Sequence, residues 1–376
     1  MRRRAGRSPA PRGAAGAAGS PRPSTRGAGP LMRPSQGGSR MKAAVLEAVK
    51  KIAVRHDVAP PQIGPRDVLV RAKACGICGT DVHIWEGDFF PTFPLIPGHE
   101  LAGEVAAVGD EVEGLRPGDR VMVDPTVTCE ECHFCMINRQ NHCLKWNAVG
   151  VTRDGGFAEL VRVPAKNCYR FERVSFSEAA FCEPLACVVF GQDRARIEIG
   201  SEVLVLGAGP IGQLHLQASL ANGAAAVTVV DVVESKLDLA RQHGATEVVL
   251  ADNALQAKLK KIAPYGFDVV IDATGIARVL GDSVQYVKNG GRYLVFGVCG
   301  PQDKVEISPF EIYRRDLEII GSFAIRRTYD RAFKLMERGA IDVRKLLSEA
   351  MPVEELPRGL EMMKRGTAPM KLQVVF

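Results

Sequence analysis

The 376-residue sequence lacks any run of about 18 consecutive apolar residues, so it predicts no membrane-spanning helix. It also lacks the short apolar segment of a secretory signal. Hydrophobic residues make up 46% of the chain, which excludes a disordered or fibrous protein. We therefore expect a protein without membrane partners, long enough to form two ordinary domains with sizeable cores.

The first forty residues contain no Asp, Glu or Lys and almost nothing apolar to bury, but they include nine arginines. Their Arg, Pro, Gly, Ala and Ser content predicts a disordered extension over residues 1–40. Because nine positive charges lie there, the formal charge of +6 becomes −3 for the rest of the chain, which argues against a nucleic-acid partner. Organelle targeting is one interpretation of the extension, and an inert extension before Met41 is the other.

Four of the ten cysteines lie within fifteen residues. They are Cys129, Cys132, Cys135 and Cys143. This spacing is too close for an independent disulfide framework but suits one tetrahedral ion, and four thiolates leave no open position, so the set predicts a structural zinc. His133 and His142 lie beside these ligands and are expected to be bystanders. Because the sequence has no secretory segment, we expect a reducing, cytoplasmic environment, in which these cysteines bind metal and do not form disulfides.

Hydrophobic patterning changes near Gly191. From Met41 onward, short β-like runs broken by Gly and Pro, such as DVLVRAKACG, predict a mainly β domain. After Gly191, apolar runs alternate with helix-length segments, which predicts a parallel sheet covered on both faces. The last fifty residues are expected to return to the first domain. The predicted domains are therefore residues 41–190 with 324–376, and residues 191–323.

A glycine-rich loop, G-A-G-P-I-G, stands between a predicted strand and a predicted helix. Its members include Gly207, Gly209, Pro210, Ile211 and Gly212. These glycines permit a tight turn and let a pyrophosphate approach the helix N-terminus. Asp231 ends the next strand, where a carboxylate can hold a ribose 2′-hydroxyl, and the valines that follow offer no cation for a 2′-phosphate. The loop thus favours NAD over NADP; the alternative is a glycine turn in a domain that binds no nucleotide.

A third set is dispersed along the chain. It comprises Cys78 in ACGICGTD, His99 and Glu100 in IPGHELAG, and Glu183 in CEPLAC. Mixed Cys, His and carboxylate ligands are typical of a catalytic zinc with an open position, although a single Cys is usually a buried packing residue and a single His or Glu on a loop is usually solvated. The other thiols are predicted to be packing residues: Cys75, Cys168, Cys182, Cys187 and Cys299.

These motifs, in this order, resemble the zinc-containing medium-chain alcohol dehydrogenase family across essentially all of residues 41–376. The resemblance implies an α/β protein with a mainly-β GroES-like catalytic domain and a doubly wound parallel-sheet (Rossmann) cofactor domain. It further implies two zinc ions per chain, one catalytic and one structural, NAD as cofactor, and a homotetramer or homodimer.

The resemblance also implies roles for individual residues. The catalytic zinc ligands are Cys78, His99 and a carboxylate, with Thr80 relaying the alcohol proton and Asp81 supporting the histidine. Glu183 stands where relatives that oxidise simple alcohols commonly have a third Cys ligand, and its E-P-L-A-C context resembles the sorbitol and polyol dehydrogenase branch. In that branch the direct ligand is typically Glu100, with the later Glu acting through water, so either carboxylate is a candidate.

One segment departs from the branch. Similar sorbitol dehydrogenases carry an Arg-Tyr pair that grips polyol hydroxyls, where this chain has Ala324 and Ile325. A shorter polyol, or a phosphorylated polyol bound by Arg326 or Arg327, is therefore an alternative to a hexitol, unless these arginines are simply solvated.

The expected function is zinc-dependent, NAD-linked oxidation of a sugar alcohol's secondary hydroxyl to a ketose. Threonine 3-dehydrogenase-like activity, a zinc-free quinone-reductase-like enzyme and a non-catalytic binding relative are alternatives. The complete ligand set argues against the last two.

Overall fold

The structure is a computed structural model that describes residues 40–89 and 93–376. The expected extension over residues 1–40, and its targeting role, lie outside the described residues except for Arg40. Within the described ranges, no helix combines the length and the apolar character needed to cross a bilayer.

The described residues form the following elements. The strands are β1 (Met41–Ala48), β2 (Lys51–Val58), β3 (Asp67–Gly76), β4 (Glu100–Val108), β5 (Arg120–Val123), β6 (Thr126–Val127), β7 (Asn147–Ala148), β8 (Leu160–Pro164), β9 (Cys168–Arg170), β10 (Glu202–Leu206), β11 (Ala226–Asp231), β12 (Glu247–Leu250), β13 (Phe267–Asp272), β14 (Val287–Val295), β15 (Glu318–Gly321), β16 (Leu347–Met351) and β17 (Lys371–Val375). The helices are α1 (Gly79–Glu86), α2 (His133–Met136), α3 (Phe176–Ala180), α4 (Cys182–Ala195), α5 (Pro210–Ala221), α6 (Glu234–Gln242), α7 (Leu255–Ile262), α8 (Ala277–Ser283), α9 (Pro309–Arg315), α10 (Tyr329–Glu337) and α11 (Leu356–Lys364).

The first sheet has seven strands, in the order β16-β17-β3-β4-β5-β9, with β8 also pairing with β3. In β3 the side chains of Val68, Val70 and Ala72 are fully buried while Arg71 is exposed, which is the period-two pattern of a half-buried strand. The C-terminal β17 pairs antiparallel with β3, and Gln373 lies opposite Gly76. The start of β17 therefore lies beside the residues that lead into α1.

The second sheet has six parallel strands, in the order β12-β11-β10-β13-β14-β15. Residues 203–206 of β10 are all buried, because apolar clusters cover both faces of the sheet. The prediction of a mainly β domain joined to a doubly wound parallel sheet is confirmed. The glycine-rich loop lies at the carboxyl end of β10, the edge at which such sheets bind ligands.

Glu183 lies in a helix, within the stretch before Gly191 that the sequence predicts to be mainly β. It is in the first turn of the 14-residue helix α4 and is only 7% exposed, so the alternative of a solvated loop residue is wrong. Pro184 does not break the helix, because a proline in the first turn removes no intrahelical hydrogen bond. Helix α4 packs against α5 and α10, which explains why its residues are mostly buried.

Candidate active site

Cys78, His99 and Glu100 come together because β3 and β4 are paired. Gly76 at the end of β3 lies opposite Glu100 at the start of β4, and Cys78 immediately precedes α1. The ligand atoms of Cys78, His99 and Glu100 all lie within 4.8 Å of one another. A thiol, an imidazole and a carboxylate from separate parts of the sequence therefore converge on one point.

Asp81 supports this group from behind. Its buried carboxylate accepts hydrogen bonds from the backbone N–H groups of Cys78 (2.8 Å) and Gly98 (3.3 Å). Its Oδ1 lies 3.4 Å from Nδ1 of His99. Burial alone would lower the pKa of His99, but the nearby charge of Asp81 raises that pKa well above its usual value. Asp81 thus lies where a carboxylate commonly orients a metal-binding histidine.

The two oxygens of Glu100 have different surroundings. Oε1 accepts a hydrogen bond from Nζ of Lys371 at 2.5 Å, whereas Oε2 is buried without a hydrogen-bond partner. Gly76 makes room for that oxygen, because a Cβ at Gly76 would lie 1.8 Å from it. A buried acceptor without a partner is costly unless a cation or donor meets it.

Thr80 and Glu183 flank the group. Oγ1 of Thr80 lies 3.7 Å from Sγ of Cys78. Glu183 is not among the residues whose ligand atoms lie within 4.8 Å of one another. Its carboxyl group nevertheless interacts electrostatically with His99 and Glu100. Burial raises the pKa of Glu183 to about 7, and Sγ of Cys187 lies 3.7 Å from its Oε1.

The residues present fit a catalytic zinc. Zinc commonly binds three side chains of these types and keeps a fourth position for water or substrate. Cys78, His99 and Glu100 provide such a set, with one carboxylate oxygen from Glu100. Glu183 is then a nearby carboxyl group outside the closest set.

The second cysteine set also has the geometry of a metal site. The Sγ–Sγ distances include 3.4 Å for Cys129–Cys143, 3.6 Å for Cys132–Cys135 and 3.9 Å for Cys132–Cys143. A tetrahedron with Zn–S bonds of about 2.3 Å has edges of about 3.8 Å, so these four thiols need little movement to surround zinc. All four are free thiols, and neither His133 nor His142 belongs to the group.

We expect Cys143→Ser to release the ion from this second set and to lower Tm by roughly 10 °C, since a structural metal site contributes several kcal/mol to folding. Thermal denaturation and zinc content of the purified variant would measure this. Cys168→Ser is the matched control, because Cys168 lies on β9 outside both metal groups. An unchanged zinc content and Tm in Cys143→Ser would contradict the assignment.

The glycine-rich loop has the shape needed for a dinucleotide. Gly207 has φ +94°, which favours glycine, and a Cβ at Gly212 would lie 1.7 Å from the carbonyl oxygen of Gly207. At Gly209 a Cβ would meet nothing within 4 Å, so space is open in front of the helix N-terminus. The loop therefore combines tight packing at its base with room for a ligand at its tip.

Asp231 fixes this loop. Its Oδ2 accepts a hydrogen bond from the N–H of Ala208 at 2.6 Å, and its Oδ1 accepts one from the N–H of Val233 at 2.9 Å. Val232 is 75% exposed and, like Val233, carries no charge. The edge of the loop thus presents a carboxylate with apolar neighbours.

Residues 324–327, where the sequence departs from the sorbitol dehydrogenase pattern, make contacts with other parts of the protein. Ile325 is buried, and Arg327 donates to Glu130 Oε2 at 2.6 Å, next to the second cysteine set. The guanidinium of Arg326 lies 4.7 Å from the ring centroid of Phe190. The charge of Arg327 is therefore compensated within the protein.

Sequence reasoning missed Lys371. It begins β17, lies 271 residues from Glu100 and is buried. The sequence offers one signal for this residue: a lysine begins the strand-like KLQVVF, in the C-terminal segment that is expected to return to the first domain.

Comparison with known proteins identifies the family. The family model "Alcohol dehydrogenase GroES-like domain" matches residues 64–173, and "Zinc-binding dehydrogenase" matches residues 210–338. D-arabinitol dehydrogenase 1 of Uromyces fabae is 38% identical over 331 residues, which cover 86% of this chain and 94% of that protein. D-altritol 5-dehydrogenase of Agrobacterium fabrum is 38% identical over 335 residues, covering 88% and 98% respectively.

A solved structure agrees with these matches. A zinc-binding dehydrogenase from Sinorhizobium meliloti 1021, bound to NADP, is 37% identical with a TM-score of 0.84. The match covers 90% of this chain and 100% of that one. The chain therefore belongs to the zinc-containing medium-chain alcohol dehydrogenase family, in its branch of sorbitol-like polyol dehydrogenases.

Proposed function

We propose that the protein is a zinc-dependent, NAD-linked dehydrogenase that oxidises a secondary hydroxyl of a sugar alcohol to a ketose. The observation that carries this proposal is the convergence of Cys78, His99 and Glu100, with Glu183 beside them. Two 38% identical relatives are named for D-arabinitol and D-altritol, which are sugar alcohols. Together these facts favour a polyol over a simple alcohol.

The side chains of the site have separate tasks in this reaction. Cys78, His99 and Glu100 would hold zinc, which when bound lowers the pKa of a hydroxyl as it lowers that of water, toward about 7. Asp81 keeps His99 oriented, and the hydroxyl of Thr80 accepts the proton released by the substrate while passing its own proton on toward solvent. The glycine-rich loop binds the pyrophosphate of the nicotinamide cofactor, which supplies the hydride acceptor.

NAD is proposed as the cofactor because of the charges at the loop edge. The carboxylate of Asp231 would accept a hydrogen bond from a ribose 2′-hydroxyl but would repel a 2′-phosphate. The exposed Val232 provides no compensating cation. This proposal differs from the cofactor bound in the Sinorhizobium meliloti relative, which is NADP.

An unphosphorylated polyol is the preferred substrate. A phosphate would need a cation, and of the two arginines of this segment Arg327 is already paired with Glu130 while Arg326 is packed against the ring of Phe190. Ala324 and Ile325 cannot reproduce the hydrogen bonds of an Arg-Tyr pair. We therefore propose a pentitol or hexitol recognised mainly through the metal and its neighbouring carboxyl groups.

We also propose which parts of the chain form the two domains. Residues 41–190 and 324–376 are proposed as the catalytic zinc-binding domain, and residues 191–323 as the NAD-binding domain. The pairing of β17 with β3 supports including the C-terminal segment in the first domain.

The expected result is NADH formation from a pentitol or hexitol that stops when zinc is removed by a chelator and returns when zinc is added. The purified chain would be assayed at saturating NAD with tetritols, pentitols, hexitols, their phosphates and threonine. Higher kcat/KM for threonine or for a polyol phosphate would contradict the proposed substrate. Turnover that persists after both zinc ions are removed would contradict the metal's proposed role.

A further inference from the structure

A lysine is buried beside the candidate catalytic metal site. The side chain of Lys371 is only 6% exposed and that of Glu100 only 1% exposed. Lysine is rarely buried so completely, because desolvating an ammonium costs several kcal/mol unless a close partner offsets it. Nζ of Lys371 has two partners, Oε1 of Glu100 at 2.5 Å and the carbonyl oxygen of Ile77 at 3.3 Å.

These contacts restrict the Glu100 carboxylate from two sides. Lys371 occupies Oε1, while the missing Cβ of Gly76 leaves the space that Oε2 fills. Oε2 is buried and has no partner among the described residues. Only one oxygen of Glu100 is therefore free to serve as a ligand together with Cys78 and His99.

Lys371 also brings a positive charge to an acidic site. Cys78, Glu100 and Asp81 belong to the site, and the carboxyl group of Glu183 lies beside it. The buried ammonium offsets part of this negative charge, so its loss would leave the site more negative.

We propose that Lys371 is a positioning residue that makes Glu100 a one-oxygen ligand of the catalytic zinc and so keeps the coordination number low enough for substrate to bind. The inference rests on the proposed function in assuming a catalytic zinc, but not on the identity of the alcohol. It also gives the C-terminal strand a role at the site, because Lys371 is the first residue of β17.

The test uses the full-length enzyme with cobalt(II) in the catalytic site and zinc retained in the four-cysteine site. Cobalt spectra report coordination number directly, since four-coordinate cobalt absorbs more strongly in its d–d bands than cobalt with more ligands. In Lys371→Met we expect Glu100 to bind through both oxygens, with a loss of d–d intensity. Lys371→Arg, which keeps a charged donor, should retain the spectrum of the unmodified enzyme.

Lys42→Met is the matched control, because Lys42 also pairs with a glutamate, Glu354, but on the surface. It should leave the cobalt spectrum unchanged. If Lys371→Met does not fold, Lys371→Leu is measured by the same criterion, since it also removes both the donor and the charge. Unchanged d–d intensity in the folded Met or Leu variant, or a loss in Lys371→Arg equal to that in the Met variant, would overturn the proposal.

These spectra are recorded without substrate, so the two proposals can fail separately. An enzyme that oxidises no polyol but loses d–d intensity in Lys371→Met would refute the proposed substrate and support the role of Lys371. An enzyme that oxidises a polyol but has identical spectra in Lys371→Met and Lys371→Arg would support the proposed substrate and refute the role of Lys371.

Discussion

Replacing His99 with Ala is expected to reduce turnover at least about a thousandfold and to lower the zinc content by one ion per chain. The reason is that a substrate hydroxyl keeps a pKa far above neutral when no metal polarises it, so little of it is ionised at neutral pH. Cys78→Ser should behave in the same way, because it removes the thiolate from the same group. Steady-state kinetics and elemental analysis of the purified variants measure both effects.

The controls for these variants separate lost chemistry from lost folding. Cys168→Ser makes the same thiol-to-hydroxyl change outside both metal groups and should retain full activity and zinc content. His99→Ala should still bind NADH, because the glycine-rich loop lies on the other sheet. If His99→Ala or Cys78→Ser kept both its metal and its turnover, the assigned catalytic site would be wrong.

The parts of this site that are local in sequence could be predicted from the sequence. The cysteines between Cys129 and Cys143 are close enough that a short loop alone can wrap them around an ion. The glycine-rich loop is likewise defined by a strand, a turn and a helix that follow one another. In both cases residue type and spacing nearly determine the geometry, so tertiary structure adds little.

Contacts between distant segments could not be predicted in this way. The Lys371–Glu100 pair depends on the pairing of β17 with β3 and of β3 with β4, and the hydrophobic pattern of one strand does not say which strand it pairs with. The Arg327–Glu130 pair joins residues 197 apart, so two arginines that the sequence left available for phosphate proved to have different partners.

Substituting Asp231 with Asn and Val232 with Arg together is expected to shift the preference from NAD toward NADP by roughly a thousandfold in the ratio of kcat/KM values. Loss of a hydrogen bond to a charged group costs about 1.5–3 kcal/mol, which accounts for a decrease with NAD of roughly ten- to a hundredfold. The remainder comes from replacing repulsion of the 2′-phosphate by an Arg–phosphate pair. Asn keeps an oxygen for the N–H of Ala208, and the exposed N–H of Val233, which loses its acceptor, can bond to water instead, so the loop should hold its shape.

Asp238→Asn is the matched control, because Asp238 is an exposed carboxylate on the neighbouring helix that pairs with Arg241 rather than with the loop. It should leave the cofactor preference unchanged. The unmodified enzyme must also favour NAD in the same assay. If it already favours NADP, as the cofactor in the Sinorhizobium meliloti relative would suggest, then Asp231 does not act on the ribose and its two backbone hydrogen bonds describe a purely structural residue.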